Sequence, residues 1–175
     1  MKNEAAVIDG LLQSISAQTR LPDEVVVGDG GSTDGTAQVV EAWGSRQPFP
    51  VRVLAAPGAN IAQGRNVAIR GAQGDLIAST DAGVRLAPRW LQELLVPFDE
   101  SGQPPDTQHV VAGFFLPDAH TVFEVAMSAA VLPSLAEVDP QKFLPSSRSV
   151  AFTQEGVADS RGLPGVVRLL RRPRV

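Results

Sequence analysis

Two short acidic segments hold the residues best suited to chemistry. The first is Val25-Val26-Val27-Gly28-Asp29-Gly30-Gly31-Ser32-Thr33-Asp34-Gly35-Thr36. An apolar run ending in Gly28-Asp29-Gly30 reads as a strand that delivers a carboxylate to its carboxyl end, where open α/β sheets bind ligands. The glycines let a ligand approach the backbone closely. The helix that follows offers unpaired N–H groups to anionic or polar atoms. The same loop equally suits a plain strand-to-helix turn, with Asp34 or Ser32 as its cap. The second segment is Leu76-Ile77-Ala78-Ser79-Thr80-Asp81-Ala82-Gly83, again with an acid, Asp81, closing an apolar strand. If the two strands are neighbours, Asp29 and Asp81 face one crevice and could hold a divalent cation, or a sugar and a base. A solvated loop acid is the competing reading of Asp81. Between these segments, Ala59-Asn60-Ile61-Ala62-Gln63-Gly64-Arg65-Asn66-Val67-Ala68 places Arg65 early on a helix. Its guanidinium could fork onto a phosphate or carboxylate, stack on a base, or pair with a nearby surface acid.

Other chemistries find less support. His109 and His120 have no ligand spacing around them and read as structural. Neither a GxSxG elbow nor a GxxxxGKS/T loop is present, which disfavours a hydrolase elbow and a P-loop. The chain has no cysteine, so disulfides, thiolate metal sites and cysteine nucleophiles are excluded.

Alternating helices and strands must position these residues. Val7, Ile8, Leu11, Leu12 and Ile15 fall at helical spacing within residues 4–18, with Asn3 as cap and Glu4 at the positive end. Glu24 to Val27 reads as a buried strand, Thr36 to Trp43 as a helix and Val51 to Leu54 as a strand. Asn60 to Ala72 reads as a helix, Leu76 to Ser79 as a strand, and Pro88 to about Val96 as a helix. This alternation predicts an α/β fold, a mostly parallel sheet flanked by helices. It opens with a helix where a doubly wound domain normally opens with a strand. The second half is less regular. Ser101 to Thr107 reads as a loop, Val110 to Leu116 as a strand and Ala119 to Leu132 as a helix. Pro133 to Ser147 reads as a loop and Ser149 to Phe152 as a last strand, and no element is predicted beyond it.

The 175 residues are one domain's worth, and 43% are hydrophobic, enough for a sizeable core. The net charge of −4 is uneven: residues 1–159 carry −9, and residues 160–175 carry five arginines without an acid. An acidic body argues against nucleic acid as a partner. Residues 1–152 are therefore expected to form one domain, and 153–175 an irregular basic tail. No segment approaches the roughly 18–20 apolar residues of a membrane span. Met1-Lys2 leads into Asn3-Glu4 without an apolar run, so a cytoplasmic location is expected. Val166, Val167, Leu169 and Leu170 beside the tail arginines also suit a short interfacial helix, giving peripheral contact at the inner face of the membrane.

In order along the chain, Asn3-Glu4, Pro22-Asp23-Glu24-Val25-Val26-Val27, Asp29-Gly30-Gly31-Ser32-Thr33-Asp34-Gly35-Thr36, Gly64-Arg65-Asn66, Gly74-Asp75-Leu76-Ile77-Ala78 and Thr80-Asp81-Ala82 resemble family 2 glycosyltransferases of the GT-A fold. The ordered set covers about residues 3–98, and Ser147-Arg148-Ser149-Val150-Ala151-Phe152 is similar to a later segment of the family. The resemblance implies a Rossmann-like domain that binds a nucleoside-diphosphate sugar and passes the sugar to an acceptor, saccharide or lipid-linked, with inversion. By position, Asn3, Glu4, Asp29 and Gly30 would line the donor site and Asp29 would bond the base. Arg65 would lie near the nucleotide. Asp81 would be the first acid of an Asp-x-Asp motif that holds Mg²⁺ or Mn²⁺ on the diphosphate. Three features depart from the family. Its opening strand would precede Asn3-Glu4, and the loss would expose backbone edges and apolar side chains. Gly83 replaces the second acid. No Glu-Asp pair follows Phe152 to supply a general base, and only Glu155 and Asp159 remain there. The catalytic base is thus unassigned, and a truncated, inactive nucleotide-sugar-binding module is the alternative.

Overall fold

The computed structural model describes residues 1–99, 110–114, 116–131, 138, 146–154 and 167–169. His109, Glu155, Asp159, most of the Pro133 to Ser147 segment and most of the tail lie outside the described residues.

The first half alternates as its sequence pattern predicts. Helix α1 (Ile8–Ser16) is followed by β1 (Val25–Asp29), α2 (Thr36–Gly44), β2 (Val51–Ala55), α3 (Ile61–Gly71), β3 (Leu76–Ser79) and α4 (Trp90–Asp99). The second half adds β4 (Val110–Ala112), α5 (Val122–Val131), β5 (Val150–Thr153) and β6 (Val167–Leu169). Strands β1 and β2 pair in parallel, with Val25 opposite Val51 and Asp29 opposite Ala55. The other four strands form a sheet of order β3-β5-β4-β6, in which β5 runs antiparallel to both neighbours and β6 lies parallel to β4.

Three sequence expectations change. Strands β1 and β3 do not pair with each other, so the condition under which Asp29 and Asp81 would face one crevice is not met: the two strands stand in separate sheets. Val167–Leu169 form a strand, where the sequence predicted no element and an interfacial helix was the rival reading. Asn3 does not cap α1: its φ is 55° and the helix starts after Val7 without a side-chain cap. Instead the Glu4 carbonyl accepts from the Val7 and Ile8 N–H groups. The side chain that satisfies a free N–H of α2 is Asp34, which accepts from the Thr36 N–H at 3.1 Å.

Three apolar clusters hold the layers together. Ile8, Leu11, Leu12 and Ile15 of α1 meet Val40 and Trp43 of α2, with Val25 and Val27 of β1 against them. Leu91, Leu94, Leu95 and Phe98 of α4 cover Val111 and Ala151 of the second sheet. Val110, Val150 and Phe152 face the other way, toward Ile69 of α3 and Ile77. Polar side chains pin the joints between elements. Gln18, just past α1, donates to the Ala87 carbonyl at 2.8 Å and accepts from the Leu91 N–H at 3.0 Å, locking α1 to α4. No helix among the described residues is long and apolar enough to cross a membrane.

Glu24, at the entrance to β1, is the most heavily used of these clamps. One carboxylate oxygen accepts from the Gln73 and Gly74 N–H groups behind α3, and the other pairs with Arg52 of β2. Arg52 also donates to the Gly71 carbonyl at 2.7 Å. Burial works against the charged form of Glu24. The bonds from Gln73, Arg52 and Gly74 together outweigh it and hold the carboxyl below its ordinary value. A depressed acid contributes stability above its unfolded pKa and loses it as the pH falls through the folded value. Glu24→Gln should therefore lower stability near pH 7 by about 1–2 kcal/mol. In denaturant melts, the gap from the parent should close as the pH drops below the ordinary glutamate range.

Candidate functional site

The site is built where β1 and β3 end. Gly28 lets α3 lie directly on β1: a Cβ there would run into the Gly64 carbonyl oxygen. Asn60 and Gln63 start α3 with a reciprocal capping box, each side chain accepting from the other's N–H at 2.9 Å. Arg65 follows one residue after the Gly28 contact and so projects from the start of the second turn of α3. Its Nη2 lies 2.8 Å from Oδ1 of Asp81, just beyond β3. Arg148, ahead of β5, reaches Oδ2 of the same carboxylate at 3.9 Å. Asp81 is thus held between two guanidiniums contributed by segments far apart in sequence. Thr80 beside it has a fully buried hydroxyl oxygen with no hydrogen-bond partner among the described residues. Thr80, Asp81, Arg65 and Arg148 line one cleft of about 2480 Å³.

Asp29 does not join this group. Its carboxylate turns back into its own loop, accepting from Ser32 Oγ at 2.6 Å and from the Ser32 N–H at 3.1 Å. It is 8% exposed. Gly30 donates to the Met1 carbonyl and accepts from the Gly58 N–H, so both of its main-chain groups are used. Asn3 and Glu4 close over the loop from the other side. The Asn3 Oδ1 accepts from the Thr33 N–H at 2.9 Å, while its own N–H donates to Ser32 Oγ. The Glu4 N–H donates to Thr36 Oγ1, and the Ala5 N–H to Asp34 Oδ2. The bonds from the Thr36 hydroxyl, the Ala5 N–H and the Thr36 N–H hold the Asp34 carboxyl below its ordinary value. Asn3, Glu4 and Gly30 line the cleft. The predicted residues therefore fall into two sets: a preorganised loop around Asp29, and an ionic cluster around Asp81.

The chemistry follows from the donors. Two forked guanidiniums favour a ligand with several anionic oxygens. A buried hydroxyl without a partner costs about 1–3 kcal/mol until a bonding group arrives. For a divalent cation the cluster offers the Asp81 carboxylate, and no group of three or more His, Cys, Asp or Glu side chains gathers among the described residues. One carboxylate still suits Mg²⁺, which is commonly held by one or two carboxylates together with substrate phosphates and water. His120 is a surface residue 3.3 Å from Asp118. Sequence reasoning did not single out Thr80 or Arg148 as site residues. The available signal was weak: Thr80 adjoins the acid that closes β3, and Arg148 stands just before the last apolar strand.

Thr80→Val tests whether that hydroxyl is kept for a ligand. Replacing an unpartnered buried hydroxyl by a methyl should leave thermal stability unchanged or raise it by about 1 kcal/mol. A clear fall in stability would show that the hydroxyl bonds within the folded chain.

Comparison with known proteins gives a consistent picture. Residues 1–115 match the model of the family described as "Glycosyl transferase family 2". A validoxylamine A glucosyltransferase from Streptomyces hygroscopicus subsp. limoneus is 36% identical over 95 residues, 53% of this chain and 21% of that protein. The chain thus spans about a fifth of the curated relatives it matches. Among solved structures, S. aureus TarS 1–349 in complex with UDP superposes with a TM-score of 0.66 at 22% identity, covering 91% of this chain and 46% of that one. At that identity the likeness shows the fold. The mannosyltransferase PcManGT from Pyrobaculum calidifontis, in complex with GDP-Man and Mn²⁺, gives a TM-score of 0.61 at 27% identity over 89% of this chain and 43% of that one. The fold is that of the GT-A glycosyltransferases. With the family model matching well over half of its length, and with the acidic loop and the ionic cluster inside or beside that match, this chain belongs to glycosyl transferase family 2.

Proposed function

We propose that the chain carries the donor-binding part of a glycosyltransferase, taking a nucleoside-diphosphate sugar into the cleft at the ends of β1 and β3. The ionic cluster carries this reading: Arg65 and Arg148 flank Asp81 beside the unpartnered Thr80 hydroxyl. The two guanidiniums meet the diphosphate oxygens, and Thr80 donates to one of them. Asp29, fixed by Ser32, accepts from the base, with Asn3, Glu4 and Gly30 shaping the wall around it. Mannosyltransferase PcManGT has been seen with GDP-Man and Mn²⁺, and TarS with UDP and UDP-GlcNAc, which supports a nucleotide-sugar ligand here.

Transfer in this reading is a direct displacement with inversion. The acceptor oxygen attacks the anomeric carbon from the face opposite the departing diphosphate, and a carboxylate removes the acceptor's proton. Arg65 and Arg148 stabilise the negative charge that builds on the leaving group as the sugar–phosphate bond breaks. Asp81 would hold a divalent cation together with diphosphate oxygens, and that cation would supply further charge neutralisation. Gly83, standing where a second acid would follow Asp81, favours a second reading, donor binding without turnover.

Calorimetric titration of UDP and of GDP into the full chain, with and without Mn²⁺, tests the proposal. One nucleotide should bind more tightly with the metal, and Asp81→Asn should remove that difference. Arg65→Ala should weaken binding by about 10–100-fold, the loss expected for a charge-assisted bond of about 1.5–3 kcal/mol. A folded chain that binds neither nucleotide would refute the reading. Binding with no sugar released from any nucleotide-sugar donor would select the second reading.

A further inference from the structure

Both oxygens of the Asp81 carboxylate are already engaged by positive charge. Oδ1 accepts from Arg65 Nη2 at 2.8 Å, and Oδ2 lies 3.9 Å from Arg148 Nε. Two guanidiniums thus share one carboxylate, and the trio carries a net positive charge. Gly83, two residues on, adds no second acid to offset it.

The backbone that carries these side chains is firmly tied. The close contact of Gly28 with Gly64 seats the start of α3, and Arg65 with it. Ser79 Oγ donates to the Ser147 carbonyl at 3.1 Å, and Ser79 stands opposite Val150 in the pairing of β3 with β5. Arg148 is thereby fastened beside the end of β3, where Asp81 stands. The ion pairs open most easily by rotation of the side chains themselves. Those have room to turn, for Arg65 is 23%, Asp81 34% and Arg148 53% exposed.

A divalent cation and the guanidiniums compete for the same oxygens. A cation on Oδ1 would share it with a guanidinium nitrogen 2.8 Å away, and like charges so close repel strongly. It would also gain a single carboxylate, whereas Mg²⁺ is ordinarily held by one or two carboxylates together with phosphate oxygens. A diphosphate reverses both effects. Its oxygens occupy the guanidinium forks, and they add the anionic ligands that the free chain lacks.

We infer that Arg65 and Arg148 keep Asp81 closed to divalent cations in the free chain, and that Asp81 opens as a metal ligand only when a diphosphate draws the guanidiniums away. This rests on the donor reading above and adds an order to it: Asp81 meets the cation with the diphosphate or after it, and not before. Arg65 is the stronger bolt, because its contact is a hydrogen bond, while that of Arg148 with Asp81 is too long for one.

The electron paramagnetic resonance signal of free Mn²⁺ tests this on the full chain, with no turnover needed. The parent should bind Mn²⁺ alone weakly. Arg65→Gln should bind it more tightly by at least about tenfold, since a unit charge beside a dication counts even at the dielectric of water. Arg148→Gln should move the same way by less, and Arg65→Lys, which keeps the charge, should match the parent. Adding Asp81→Asn to Arg65→Gln should abolish the gain, which would place the ion on Asp81. With UDP or GDP bound, the parent's affinity for Mn²⁺ should rise by about tenfold over that of the nucleotide in buffer, an ordinary coupling between two ligands. Asp81→Asn should remove that rise. Parent binding of Mn²⁺ alone as tight as in both Arg→Gln variants, each shown to be folded by circular dichroism, would overturn the inference. So would a bound nucleotide that leaves the parent's affinity for Mn²⁺ unchanged. If neither nucleotide binds, the donor reading falls, and the two Arg→Gln variants alone decide whether Asp81 is closed.

Discussion

The contact between Gly28 and Gly64 sets the geometry on which the rest depends. Helix α3 and strand β1 meet backbone to backbone there, leaving no room for even a methyl group. The helix is thereby held close to the sheet, and the capping box at Asn60 and Gln63 fixes where its first turn begins. Arg65 then has one place to go, toward the end of β3. A larger residue at Gly28 would lift α3 from the sheet, and the ion pair with Asp81 would move with it. The clamp at Glu24 performs the same task at the far end of α3, tying Gln73 and Gly74 to the entrance of β1.

The two halves of the site are rigid for different reasons. Around Asp29 the loop is held by short-range bonds to Ser32 and by Asn3, Glu4 and Ala5 folding back over it. Its shape is fixed before any ligand arrives, which spares a ligand the entropy of ordering it. Around Asp81 the order comes from charge. Two guanidiniums, from α3 and from the approach to β5, share the one carboxylate at the end of β3, all of them partly exposed. Such a cluster adjusts more readily than a hydrogen-bonded loop.

Much of this was legible in the sequence where the signal was local. Strand β3 was predicted with its observed ends, and α2 and α3 within one residue at each end, because capping residues and glycines punctuate them. Asp34 was read with Ser32 as a cap of α2; the N-cap is Gly35, and Asp34 instead accepts from the Thr36 N–H two residues on. Less legible was anything that depends on a distant partner. Asp29 and Asp81 end similar strands, yet the sheet divides between them, and nothing in either segment reveals that. Arg148 lies more than sixty residues beyond Asp81 in the sequence, so spacing could not connect them. Strand β6 is three residues within an arginine-rich stretch, and it exists through pairing with β4. Asn3 was read as a helix cap from its residue type. Its bonds go to a loop thirty residues away, a tertiary preference that no local rule contains.

The pairing of Asp81 with two guanidiniums also makes the site a filter. An anion that approaches Arg65 and Arg148 finds a carboxylate already in place, so it must compete for positions that are satisfied. Chloride or a lone carboxylate brings one charge and gains little over the resident group. A ligand with several oxygens can engage both forks at once and release Asp81 to other work. The resident acid therefore sets a threshold of charge and shape that a small anion meets less well than a ligand with several oxygens.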